Sequence, residues 1–112
     1  MKKIYVLRGS KVMMHRDLAE LYEIETKQLK RAVRRNISRF PEDFMFELMS
    51  QFGTSSWRGP RYVPMAVTEL GVIMLASVLN SERAMQVNIQ IVKVFTKMRE
   101  ILASHKELLL KL

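Results

Sequence analysis

The sequence predicts an α+β fold: a small β-sheet with a helix-turn-helix-like pair, a buried helix and a long C-terminal amphipathic helix. Three observations predict it. Short runs rich in Ile, Val, Tyr and Met lie beside glycine and proline punctuation in 4–14 and 44–67. The stretch 17–39, DLAELYEIETKQLKRAVRRNISR, carries apolar residues at helical spacing on both sides of an interruption. From Thr68 onward the chain is helical in pattern, first apolar on nearly all sides and then with a regular apolar seam.

At the N-terminus, Ile4–Leu7 and 11–14 flank Arg8-Gly9-Ser10. Gly9 tolerates positive φ, so these residues read as a β-hairpin. His15 follows, read as a surface or capping residue. The only other histidine is His105, too distant in sequence for a local metal-binding pair.

The first helix of the pair carries Leu18, Ala19, Leu21 and Tyr22, and the bend falls near 23–25. Ala19 stands where the two helices approach most closely. Thr26 is the expected N-cap of the second helix, 27–36, with Leu29, Ala32, Val33 and Ile37 on its inner side. Its outer face is read as Lys27, Gln28, Lys30, Arg31, Arg34 and Arg35, and no acidic residue occurs from 26 to 41. Such a face suits the major groove of duplex DNA or the phosphates beside it. Gln28 is the candidate for a base edge, because a carboxamide can pair bidentately with adenine, whereas most of the cations bind phosphate and set position. Neutralising about six phosphates would give a log–log salt slope of roughly −5.

Pro41 ends the helical region, and one turn there carries Phe40 and Phe44 into the core. Residues 44–49 read as a strand or short helix. The loop 50–61, SQFGTSSWRGPR, places Arg58 and Arg61 as further phosphate contacts, with Trp57 read as covering the core. Tyr62-Val63-Pro64-Met65-Ala66-Val67 reads as an edge strand, because Pro64 has no ladder donor. Thr68 caps the helix Glu69–Leu79, in which Gly71 allows close packing and whose apolar sides mark it as the central buried helix. Ser81 caps the last helix. There Ala84, Val87, Ile91, Val94, Met98, Ile101, His105, Leu108 and Leu112 alternate by three and four, an a/d heptad seam interrupted by His105. Val94, Met98, Ile101, His105 and Leu108 are therefore the expected homodimer interface. Residues 1–102 form the expected domain, and 103–112 extend its last helix as a dimer or linker element.

The 112 residues suffice for one domain with a modest core, and their formal net charge of +8 favours polyanionic partners. No apolar run approaches the ~20 residues of a membrane span, and the apolar run after Lys3 is too short for a signal peptide. With no cysteine, disulfides and thiolate zinc sites are excluded; a cytoplasmic location without cofactor or metal is expected. No nucleophile–base pair, glycine-rich phosphate loop or carboxylate cluster is set by spacing, so no enzyme activity is expected.

The residues HRDLAELYEIETKQLKRAVRRNISRFPEDFMFEL, then FGTSSW, TE-x-GV and VLNSERA in that order, resemble the phage ORF-six N-terminal domain family. That family is similar to the KilA-N and Bro-N domains of phages and large DNA viruses. The resemblance runs from about Ile4 to Ile101. It implies a DNA-binding module, often N-terminal in a prophage regulatory or antirepressor-like protein, with no enzyme activity and no metal. The chain departs from the family's pattern at His15, where an acidic residue is usual, and at Glu23, where glycine is frequent. It departs again at Leu70, where glutamine is usual, and in a shortened segment around 48–50. Family members commonly continue beyond the long helix. A second reading makes that helix a docking element for a phage or host regulatory protein, with the basic face incidental.

Overall fold

Arg8 and Gly9 both have positive φ, 51° and 75°. These values fit a type I′ turn, whose twist matches an antiparallel hairpin. The turn joins β1 (Ile4–Leu7) to β2 (Ser10–Met14), the hairpin expected from the sequence. The computed structural model describes residues 4–48 and 63–111 and, of 107–109 and 111, the backbone alone. After β2 come α1 (His15–Tyr22), α2 (Thr26–Arg35), a 3-10 turn (Ile37–Arg39), β3 (Met45–Glu47), β4 (Met65–Thr68), α3 (Glu69–Leu79) and α4 (Glu82–Lys111).

The four strands form one antiparallel sheet in the order β1-β2-β4-β3. The strand after Pro64 is thus an interior strand and not an edge. The strand begins at Met65, so Pro64 lies one residue outside the ladder and costs it no donor; its carbonyl accepts from the Leu48 N–H at 2.8 Å. Ile4, Met13, Val67 and Met45 form a cross-strand row through all four strands and face the helices. The alternate positions Val12, Ala66 and Phe46 build a second apolar cluster on the opposite face. There the Arg8 guanidinium lies 4.3 Å from the Phe46 ring centroid.

Thr68 ends β4 and caps α3 in one residue. Its hydroxyl accepts from the Gly71 N–H at 3.4 Å and donates to the carbonyls of Asp43 and Phe44. This ties the helix to the segment entering β3. Gly71 lies so close to that segment that a Cβ would stand 2.1 Å from the Phe44 carbonyl oxygen. The central-helix expectation for α3 holds along one face only: Gly71, Val72 and Leu75 are buried, while Leu70 and Ile73 are about half exposed.

Ser81 caps α4 as expected, its hydroxyl accepting from the Ala84 N–H at 3.1 Å. Along α4, Ala84, Asn88, Ile91 and Phe95 are buried, and Val87, Val94 and Met98 are partly buried. From 99 to 106 every residue is exposed. The stripe that completes the core runs through 84, 88, 91 and 95 and shares only Ala84 and Ile91 with the expected seam, and α4 continues past the domain body as a single helix.

Candidate nucleic-acid interface

α1 and α2 are joined by residues 23–25. Leu18, Ala19 and Tyr22 of α1 pack with Leu29 and Val33 of α2 in the main core. Glu23 makes the bend without glycine: it adopts φ 60°, ψ 42°, the left-handed region. Its N–H reaches Glu20 O at 3.1 Å and the Ile24 N–H reaches Ala19 O at 3.0 Å, so two terminal carbonyls of α1 are satisfied.

The cap of α2 differs from expectation. The N-cap is Glu25, not Thr26: the Glu25 carboxylate accepts from the Gln28 N–H, and Gln28 Oε1 accepts from the Glu25 N–H at 3.0 Å. This reciprocal capping box satisfies two helix-end donors. It also occupies half of the carboxamide that a bidentate contact to adenine would need, so Gln28 as it stands is a cap.

Lys27, Arg31, Arg34 and Arg35 are exposed on α2, as the sequence suggested, and Arg39 extends the cationic surface into the 3-10 turn. Lys27 makes a loose, exposed ion pair with Glu25 at 3.5 Å. Lys30 departs from the expected face. It is only 5% exposed and does not stand on the outer face. Burial, and then the neighbouring Arg34 charge, lower its ammonium below the usual lysine range, opposed by Glu47. Arg58, Arg61 and Trp57 lie outside the described residues. Of the expected dimer positions, Val94 and Met98 are partly buried within the chain, Ile101 and His105 are exposed, and the Leu108 side chain lies outside the described residues.

His15 is neither a surface nor a capping residue. It opens α1, is 6% exposed, and its Nδ1 accepts the Met65 N–H at 2.9 Å, across fifty residues of chain. Burial first, and then the nearby Lys30 charge, lower its pKa to about 4. The ring is neutral at pH 7, and a proton on Nδ1 would face the Met65 donor. Because the folded pKa lies below the unfolded value of 6.5, the unfolded chain takes up the proton first as pH falls. Stability from this group is therefore full above about pH 6.5 and is lost between there and about pH 4, by roughly 3 kcal/mol. Urea midpoints at pH 7 and pH 4.5 should converge for His15→Gln relative to wild type; an equal loss in both would remove His15 as the cause.

Among the described residues no three His, Asp or Glu side chains form a group that could hold a metal ion, and no helix is long and apolar enough to cross a membrane.

The described residues define a small α+β domain: among them, a four-stranded antiparallel sheet lies under four helices, with an exposed basic face on the second of a tightly linked helix pair. Over residues 2–78 the sequence matches the family model described as the ORF6N domain. The chain belongs to the ORF6N domain family, a phage-associated one. No curated protein and no solved structure gives a significant match. The matched span ends within α3 and leaves α4 outside it, although Ala84, Ile91 and Phe95 of α4 are core residues here.

Proposed function

We propose that the chain binds duplex DNA through α2, acting as a helix-turn-helix module of a cytoplasmic phage or prophage regulatory protein of the antirepressor type. The observation that carries this reading is the exposed, acid-free face of Lys27, Arg31, Arg34 and Arg35 on the second helix of a pair whose inner face is anchored in the core. Phosphate recognition needs cations held at fixed positions, and a helix seated by Leu29 and Val33 holds them. The role is that of a binding module without catalysis or cofactor.

With Lys30 buried, α2 offers four exposed cations, Lys27, Arg31, Arg34 and Arg35, so its own contribution to the salt slope is roughly −3.5. Arg31→Ala/Arg34→Ala should weaken binding to random duplex DNA by more than ten-fold near physiological salt and flatten the slope by about 2, read by fluorescence anisotropy across a salt series. Unchanged affinity in a folded variant would remove α2 from the site.

The second reading, a protein-docking role for α4, is favoured by Ile101 (56% exposed), Leu102 (54%) and Leu110 (80%) on the part of the helix beyond the body. A homodimer through this segment would present two copies of α2 to a two-fold-related site.

A further inference from the structure

We infer that Arg83, in the first turn of α4, is a positioning residue for the N-terminal end of α2. This rests on the DNA-binding reading and deepens it. α1 has no basic residue in its last turn to meet the negative end of its dipole. Arg83 supplies one from sixty-two residues away. Its Nε and Nη2 donate to the Leu21 carbonyl at 3.2 and 3.0 Å, and Nη2 pairs with the Glu23 carboxylate at 2.9 Å. One guanidinium thus grips a carbonyl in the last turn of α1 and the side chain of the residue that makes the bend.

The grip acts where the backbone needs it. Glu23 is held in the left-handed region, which disfavours any residue with a Cβ. Beneath it, the Tyr22 hydroxyl donates to Asn88 of the same helix α4, and Asn88 donates to the Val72 carbonyl. The buried tether fixes where α1 ends; the exposed one fixes how the chain leaves it. Glu25 and Thr26 follow directly, so the bend aims the first turn of α2, while Val33 and the core hold its far end. In a helix-turn-helix the N-terminal residues of the second helix meet the base edges. Release of the bend should therefore cost sequence discrimination more than phosphate affinity. Arg83 lies outside the family-matched span, so its proposed role would extend the recognition apparatus of this chain to α4.

The test uses the full chain as wild type, Arg83→Met and Arg83→Lys. Duplexes are first selected by the wild type from a random pool, and each protein is then titrated with selected and random duplexes over a salt series. Arg83→Met is expected to lower the ratio of selected to random affinity roughly ten-fold, the size of one displaced base contact, with the random-duplex affinity and salt slope unchanged. Arg83→Lys reaches one partner and not both, and should fall between. Amide exchange at Glu23 and Ile24 should quicken in Arg83→Met while the sheet stays protected. Arg83 is exposed, and far-UV circular dichroism verifies the fold. A slope flattened by about one unit in Arg83→Met, with full rescue by Arg83→Lys, would show a direct phosphate contact and overturn the proposal. An unchanged ratio would overturn it and leave the DNA-binding reading standing. Absence of DNA binding, or of any selected sequence, by the wild type would remove what Arg83 is proposed to position.

Discussion

Replacing Gly71 by alanine should destabilise the fold by a net ~2 kcal/mol or more. Alanine is the better helix former, and at an open position the exchange would gain about 1 kcal/mol. Here the new Cβ would stand 2.1 Å from the Phe44 carbonyl oxygen and 2.7 Å from Val67 Cγ1. The carbonyl belongs to the backbone and cannot swing aside. It also accepts the Thr68 N–H at 3.0 Å and the Thr68 hydroxyl at 3.1 Å, so displacing it strains the α3 cap and the junction between β3 and β4 together. Overpacking of this kind costs about 3 kcal/mol, which outweighs the propensity gain. Urea denaturation measures it directly, with Ser77→Ala on the exposed side of α3 as the control within about 0.5 kcal/mol. An unchanged midpoint for Gly71→Ala would mean that α3 does not seat against residue 44 as described.

Asn88→Ala should cost a comparable roughly 3 kcal/mol, for a different reason. Asn88 is 4% exposed and joins three helices: its Oδ1 accepts from the Tyr22 hydroxyl of α1 and its Nδ2 donates to the Val72 carbonyl of α3 at 2.5 Å. Burial raises the Tyr22 phenol above its ordinary range, so it remains a donor at any working pH. Truncating Asn88 leaves that hydroxyl buried without its partner and opens a small void, so both penalties add. The pairing is tested by a double-mutant cycle with Tyr22→Phe. The double variant should be less destabilised than the sum of the singles by about 1–2 kcal/mol, because an absent hydroxyl has nothing to lose. Additivity would show that the two side chains do not act as a pair.

The features legible in the sequence are those whose cause is local. Arg8-Gly9 marks the hairpin, Thr68 and Ser81 mark helix starts, and Gly71 marks a close approach; each acts within a few residues of itself. Features decided by distant chain were misread or missed. Pro64 looks like an edge marker until β3 and β2 are found on either side of β4. Lys30 has helical spacing from Lys27 and Arg34 and so counted with the basic face, yet the body of the domain closes over it. His15 finds its partner at Met65, and Arg83 and Asn88 find theirs on α1; none of these pairings leaves a mark in spacing. The capping box was readable, since Glu25 and Gln28 stand three apart, but the more usual cap residue Thr26 masked it. In α4 the periodicity finds the helix but misplaces its buried face by about one residue: the core takes Ala84, Asn88, Ile91 and Phe95, and the seam positions Val87, Val94 and Met98 are only partly buried.

The measurement that tests the DNA-binding account most directly is a backbone amide NMR titration of the full chain with duplex DNA. The largest shifts are expected on α2 and its flanks, at Lys27, Arg31, Arg34, Arg35 and Arg39, with α4 beyond Met98 unaffected at low protein concentration. Shifts concentrated on 101–110, or none along α2 at a DNA concentration that saturates binding, would contradict it and make the exposed end of α4 the working surface of the protein.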